Sequence, residues 1–204
     1  MADCGCGGNQ AEGLERRTLT ALLLINAGMA LVESLAGWLA DSSGLLADSL
    51  DMLADAAVYG LSLIAVGKGV SRQAHAARLS GILQILLGFG VLLDGLRRFL
   101  LGSDPQSLPI IAIGVLALIA NIVCLLLIAR HRHGGVHMRA SWIFSTNDVI
   151  ANLGVILAGC LVWALGSPYP DLIVGVVVSL LVVRGGLRIV AEAQRTTSTP
   201  SGRR

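Results

Sequence analysis

The chain has 204 residues, of which 54% are hydrophobic and only 14% are charged. Soluble domains usually carry about 25% charged residues, so the composition excludes an ordinary soluble domain and indicates a membrane protein. The net charge of +2 is small and says little, because the positions of the charges matter more than their sum. We expect the lipid bilayer as a partner and no nucleic acid.

A helix that spans a bilayer needs about 20 mostly apolar residues, and six runs qualify. In chain order they are Leu19–Ala40, Gly44–Val66, Leu79–Leu101, Leu108–Ala129, Met138–Leu165 and Asp171–Val190. The first run is longer than the ~7–15 apolar residues of a signal peptide, so we expect an uncleaved helix. Continuous runs also exclude the alternating strands of a membrane β-barrel. The predicted fold class is therefore all-α, a polytopic membrane bundle of six transmembrane helices.

The basic residues predict the orientation of this bundle. All 15 Lys and Arg residues except Arg97 and Arg98 lie in the termini, in the second and fourth loops, or in the ends of the runs next to them. Because basic residues favour the cytoplasmic side, we expect both termini in the cytoplasm and the bundle in the inner (plasma) membrane. The expected domains are a flexible N-terminal tail with a Cys pair (1–17), the transmembrane domain (18–190) and a short flexible C-terminal tail (191–204).

Three aspartates interrupt the second run: Asp48, Asp51 and Asp55. On a helix Asp51 and Asp55 lie about 40° apart, and Asp48 lies within about 60° of both. Inserting one central Asp costs about 2.5–3.5 kcal/mol, whereas each Leu, Ile or Val returns only about 0.3–0.6. This acidic stripe must therefore face the bundle interior, water or a cation.

The fifth run carries a matching pair, Asp148 and Asn152, one turn apart. Measured from the expected cytoplasmic ends of their runs, Asp55 lies about 16 Å deep and Asp148 about 15 Å deep. Asp51 and Asn152 also lie at similar depth, one helical turn closer to the outer side. Oxygen pairs from two helices at equal depth can surround one divalent ion. We therefore expect a metal site at Asp51, Asp55, Asp148 and Asn152.

The other polar residues of the apolar runs have more than one interpretation. Asp48 is a weaker ligand candidate, and the alternative is a hydrogen bond to a neighbouring helix near the outer surface. Glu33 and Asn26, two turns apart in the first run, either line a path or bridge helices. Asp94 precedes Arg97 by three residues, which favours a local ion pair that also includes Arg98. Two cysteines in apolar runs, Cys124 and Cys160, are expected to be small buried residues.

These residues also carry a resemblance. The segment Leu45–Asp51 followed by Asp55 resembles the second-helix signature of the cation diffusion facilitator family, and residues 147–154 resemble its fifth-helix motif. The resemblance covers roughly residues 14–190. It implies a six-helix, usually dimeric, proton-coupled antiporter that moves zinc, cadmium, cobalt, iron or manganese out of the cytoplasm. The ligands that it implies are Asp51, Asp55 and Asp148.

The chain departs from the family pattern in two places. The family's fifth helix usually carries His or Asp four residues before its aspartate, where this chain has Phe144, which cannot ligate. The fourth ligand therefore stays open between Asn152, Asn147, Ser145 and water. The family usually continues into a cytoplasmic domain, whereas few residues follow the last run here, so we expect a short member that lacks this domain.

The donor types leave the metal open. A carboxylate and amide core suits manganese and other hard ions, while imidazole and thiolate suit zinc. Cys4 and Cys6 in the tail, and His131, His133 and His137 in the fourth loop, are weaker candidates for collecting a thiophilic ion. The alternatives are incidental thiols in the tail and a basic loop that only sets topology. We favour zinc or cadmium, with cobalt, iron and manganese as further options.

These observations predict an efflux transporter for a divalent transition-metal cation, with protons competing for the same carboxylates and no resident cofactor. A homodimer is expected from the resemblance. One alternative is an uncoupled metal channel or carrier, whose flux would not respond to a pH gradient. A structural membrane subunit is another. An intramembrane enzyme with paired aspartates is disfavoured, because three acids and amides spaced by four residues suit ion coordination better, so we do not expect an enzyme.

Overall fold

The computed structural model describes the backbone of residues 6–65, 70–129 and 136–198. Side chains are described in these ranges except at 6–15, 62, 64–65, 70–73, 76, 136–147, 192 and 196–198. The described chain is all-helical and has six helices, as the sequence predicts. They are α1 (Cys6–Leu39), α2 (Ser43–Ala65), α3 (Val70–Leu101), α4 (Ser107–Ala129), α5 (Val136–Leu165) and α6 (Tyr169–Ser198).

Three helices extend beyond the apolar runs that predict them. α1 begins at Cys6, α3 begins at Val70 and α6 ends at Ser198. The added segments are polar but contain several Ala, Arg, Gln and Glu residues, which are good helix formers. Apolar length therefore marks the part of each helix that suits a membrane, while helix propensity carries the backbone further.

Short turns join the helices at one end of the bundle, which we call the short-turn end. It consists of residues 40–42, 102–106 and 166–168. Gly102 and Gly166 have φ angles of 87° and 59° there, values that glycine adopts without steric cost at a helix C-terminus. Asp41 also has a positive φ, 54°, which Asp tolerates better than most residues.

Among the described residues, five helices are long and apolar enough to cross a membrane, and α2 is the exception. Its three aspartates explain the difference. α2 contacts each of the other five helices. Among its described side chains, only Leu53 and Val58 are large, apolar and exposed, at 41% and 37%. The helix that lipid would tolerate least therefore occupies the centre of the bundle.

The surrounding helices present apolar side chains outward. Trp163, for example, is 78% exposed, and a continuous apolar exterior suits contact with lipid. Cys124 is buried as expected, but Cys160 lies on the outer face of α5, so the expectation that it is buried was wrong. An apolar run fixes the span of a helix, not which of its faces packs inward.

Small residues bring α6 close to two neighbours. A Cβ added at Gly186 would lie 2.8 Å from the carbonyl oxygen of Gly81 in α3. A Cβ added at Gly175 would lie 2.7 Å from the Cβ of Ser43 in α2. Neither glycine has room for a side chain, because at both places helix backbones touch in the manner common to membrane helices.

Asp171, near the start of α6, caps the beginning of α2. Its Oδ1 accepts hydrogen bonds from Ser42 Oγ at 2.6 Å and from the Gly44 amide at 3.2 Å, and its Oδ2 accepts one from the Ser43 amide at 2.7 Å. A helix start leaves amide groups without partners inside the helix. Here a carboxylate from another helix supplies them, so α6 fixes the position of α2.

Arg98 of α3 makes a second connection to the α1–α2 turn. It is 4% exposed and donates to the Asp41 carbonyl and carboxylate as well as to Asp94. Arg97 also pairs with Asp94, at 2.9 Å, so the predicted ion pairs of Asp94 are confirmed. Asp41 further accepts a hydrogen bond from the Asp104 amide at 3.0 Å. The short-turn end is thus held by polar contacts from α3 and α6.

Candidate metal site

Asp55 of α2 and Asp148 of α5 meet in the bundle interior, where their side chains are hydrogen-bonded to each other. The sequence predicts a similar depth for these two residues, and the contact agrees with that prediction. A carboxylate only accepts hydrogen bonds, so a bond between two carboxyl groups requires a proton on one of them. Either a proton or a cation between the two oxygens can satisfy this contact.

Asp51 lies one turn from Asp55, toward the short-turn end. Its charge interacts with those of Asp55 and Asp148, so the three aspartates share one region. They do not form a closed metal site in this conformation, because no three His, Cys, Asp or Glu side chains among the described residues converge closely enough to hold an ion. Among these three aspartates, the described hydrogen bond joins Asp55 and Asp148.

Asn152, one turn after Asp148, is fully buried. Its Nδ2 donates a hydrogen bond of 2.8 Å to the Asp148 carbonyl, while its Oδ1 has no partner among the described residues. Buried amide oxygens usually have a partner, so this oxygen is an acceptor that the folded chain leaves available. That property fits the ligand role expected of Asn152.

Tyr59 was missed in the sequence. It lies one turn beyond Asp55 on the same face of α2 and forms a side-chain hydrogen bond with it. The four-residue spacing between Asp55 and Tyr59 could have indicated this contact, because it places two side chains next to each other on a helix. Tyr59 is buried in an apolar cluster with Leu22, Cys124 and Ile128. This cluster lies on the side of Asp55 that faces away from the short-turn end.

A second apolar cluster lies nearer the short-turn end and consists of Leu45, Ile110 and Val155. All three side chains are fully buried. The aspartates of α2 lie between this cluster and the cluster that contains Tyr59. Apolar packing thus lies on both sides of these aspartates along the bundle, while the side chains of Asp51, Asp55 and Asp148 are half-buried.

Glu33 and Asp48 are also inside the bundle, at 0% and 1% exposure. Both carboxylate oxygens of Glu33 and Oδ2 of Asp48 lack hydrogen-bond partners among the described residues. The sequence left Glu33 open between two roles and placed Asp48 near the surface. In the structure both are buried at the α1–α2 contact.

Several candidate ligands lie outside the part of the chain whose side chains the structure describes. They are Cys4, Cys6, His131, His133, His137, Ser145 and Asn147, and Phe144 lies there too.

Comparison with known proteins gives one family match and several distant relatives. The family model of the cation efflux transmembrane domain matches residues 19–196. The chain is 23% identical to a cadmium, cobalt and zinc/H(+)-K(+) antiporter of Bacillus velezensis, over 91% of this chain and 64% of the relative. It is 28% identical to the zinc transporter ZitB of Escherichia coli, over 89% of this chain and 62% of the relative. The chain thus spans less than two thirds of the length of these relatives.

Proposed function

We propose, since the chain belongs to the cation efflux transmembrane family, that it exports a divalent transition-metal cation from the cytoplasm in exchange for protons, with zinc or cadmium as the favoured cargo. The observation that carries the proposal is the direct hydrogen bond between Asp55 and Asp148. Two acids on different helices have no reason to meet in an apolar interior unless a bound cation or proton offsets their charge. The relatives' names, which include zinc and cadmium, support this choice of metal.

The proposed ligands are Asp51, Asp55, Asp148 and the free Oδ1 of Asn152. The cation displaces the proton shared by Asp55 and Asp148, and the Asp51 side chain rotates toward it to complete the shell. Zinc accepts carboxylate oxygen at about 2.0–2.2 Å. Because one set of oxygens binds either metal or proton, each must leave before the other binds, which makes the exchange obligatory.

The apolar clusters on both sides of the site support alternating access. For entry from the cytoplasm, the cluster around Tyr59 separates. For release, the contacts that Arg98 and Asp171 make at the short-turn end loosen. We place the short-turn end outside the cell, because the basic residues collect at the other end.

Further parts of the proposal concern the periphery. Thiolate and imidazole groups near the cytoplasmic entrance would gather a thiophilic metal before it reaches the aspartates. The residues are Cys4, Cys6, His131, His133 and His137. A homodimer is also part of the proposal, as the family resemblance implies. Neither part is needed for the exchange at the aspartates.

The test uses the purified protein in proteoliposomes with an acidic interior. We expect zinc uptake that depends on the pH gradient, and uptake at the protein-free level for Asp148→Ala. Asp104→Asn is the control, since it removes an exposed acid at the short-turn end. Uptake by Asp148→Ala equal to that of the parent would reject the site, and parent uptake that ignores the gradient would favour an uncoupled channel or carrier.

A further inference from the structure

Cys124 of α4 is a buried thiol that the proposed metal site does not use. It is 1% exposed and belongs to the apolar cluster with Leu22, Tyr59 and Ile128. A cysteine in such a cluster usually behaves as a small apolar residue, and its burial alone gives it no other role. The polar group that lies against it sets this cysteine apart.

Asn26 of α1 places an amide group against this thiol. Its Nδ2 donates hydrogen bonds to Cys124 Sγ at 3.6 Å and to the Leu22 carbonyl at 2.9 Å. Asn26 is 1% exposed, and its Oδ1 has no hydrogen-bond partner among the described residues. A buried acceptor without a partner costs free energy that an apolar residue would avoid. The amide oxygen beside the thiol is therefore available to a ligand.

A second buried amide lies on the same face of α4. Asn121 is one turn before Cys124 and is 1% exposed, and its Nδ2 also lacks a partner among the described residues. α4 has no charged residue in its whole length. The thiol and the two amides thus form a neutral polar group between apolar side chains, and pairing with one another does not satisfy their polar atoms.

The thiol lies on the cytoplasmic side of the metal site. Counted at 1.5 Å per residue from the helix starts at Ser43 and Ser107, Asp55 lies about 18 Å and Cys124 about 25 Å from the short-turn end. Tyr59, which belongs to the same cluster as Cys124, is hydrogen-bonded to Asp55. In the proposed function, separation of this cluster opens the route from the cytoplasm. A cation on that route passes the thiol before it reaches Asp55.

We infer that Cys124 Sγ and Asn26 Oδ1 bind a thiophilic divalent cation, cadmium or zinc, on its way to the aspartates. The inference rests on the proposed function, which supplies the route. Thiolate sulfur favours zinc and other soft cations over manganese and magnesium, so the pair adds a selectivity that an all-oxygen site lacks. On binding, the S–H bond breaks, the sulfur–metal bond forms and the proton goes to water. Two protein donors hold the ion weakly enough for it to move on, when the sulfur takes a proton back from water.

The arrangement differs from a permanent metal site. No three His, Cys, Asp or Glu side chains of the described chain converge to hold an ion, and water fills the remaining positions around a cation bound by the pair. Cys124 is therefore a selectivity residue on the entry route.

The test uses cadmium and a variant whose only thiol is Cys124. The chain has four cysteines, so serine at positions 4, 6 and 160 leaves Cys124 alone. A cadmium–thiolate bond gives an ultraviolet absorption that carboxylate and amide ligands do not give. We expect this absorption to appear when cadmium is added, to persist with the additional change Asp148→Ala, and to disappear with Cys124→Ala. Asn26→Leu should shift the titration to severalfold higher cadmium concentrations.

Zinc uptake gives an independent measurement if the single-thiol variant does not fold. In proteoliposomes that hold the otherwise unchanged chain, Cys124→Ala should raise severalfold the cadmium concentration that halves zinc uptake. Cys160→Ala is the matched control, because that thiol is exposed on the outer face of α5, and it should behave like the parent.

Three results would overturn the inference. They are a folded single-thiol variant without cadmium–thiolate absorption, an absorption that Asp148→Ala abolishes, and an unchanged half-inhibiting cadmium concentration in Cys124→Ala. In the second case the sulfur would belong to the aspartate site itself. Failure of the proposed function would look different, since the parent would then take up no zinc while the absorption still reported cadmium on Cys124.

Discussion

Replacing Asp171 tests whether the bundle is held by contacts at the short-turn end. The carboxylate is 1% exposed and accepts three hydrogen bonds from the start of α2. Asp171→Ala removes all three. A hydrogen bond to a charged group contributes about 1.5–3 kcal/mol, while loss of a helix N-cap costs about 0.5–2 kcal/mol because the freed groups find other partners.

The donors freed by Asp171→Ala belong to Ser42, Ser43 and Gly44, which are buried. The three bonds share one carboxylate and are not additive, so the total falls well below the sum of three bonds. We expect a loss of about 3 kcal/mol. For a protein of this size, that corresponds to a fall of roughly 6–12 °C in Tm. Asp171→Asn keeps one acceptor oxygen and should lose about half as much.

Thermal unfolding of the purified protein in detergent, followed by circular dichroism, measures this change. Asp104→Ala is the control, because Asp104 is an exposed acid at the same end whose backbone amide, not its carboxylate, makes the described contact. A loss of 1 kcal/mol would lower the Tm by about 2–4 °C. A Tm for Asp171→Ala that lies within about 2 °C of the control would therefore refute the capping role.

Two other substitutions probe the helix contacts and the metal site. Gly186→Ala should destabilise the chain by about 1–3 kcal/mol in thermal unfolding, because the added methyl lies 2.8 Å from the Gly81 carbonyl oxygen. Gly185→Ala is the matched control, since its nearest added contact is 3.5 Å away, and equal Tm values would contradict the close approach. Tyr59→Phe keeps the apolar packing but deletes the hydroxyl that orients Asp55, so zinc affinity measured by calorimetry should fall about tenfold. Unchanged affinity would exclude a positioning role.

The sequence predicts the helices and the depth of the acids well, because each depends on local information. Apolar length gives six helices, and a rise of 1.5 Å per residue places Asp55 and Asp148 at one level. The helix ends at Cys6, Val70 and Ser198 were not predicted, since polar residues with good helix propensity continue a helix beyond its apolar part.

Contacts between distant parts of the chain were harder to predict. The sequence indicates only that Asp171 is an acidic residue in the first turn of α6. The packed bundle shows that it also caps α2. The outward position of Cys160 likewise depends on which face of α5 packs inward. The contact of Tyr59 with Asp55 could have been predicted, because their four-residue spacing places both on one helix face. It was missed because an uncharged tyrosine among apolar residues does not indicate a functional role.

Calorimetric titration of the purified protein with zinc, in the parent, Asp55→Asn, Asp148→Asn and the double variant, tests the shared site most directly. We predict that each single variant weakens zinc binding about tenfold or more, and that the double variant loses far less than the two single losses combined, because both residues serve one ion. The Asp104→Asn control should bind like the parent. Parent-like zinc affinity in Asp148→Asn, or fully additive losses in the double variant, would contradict a cation held jointly by α2 and α5.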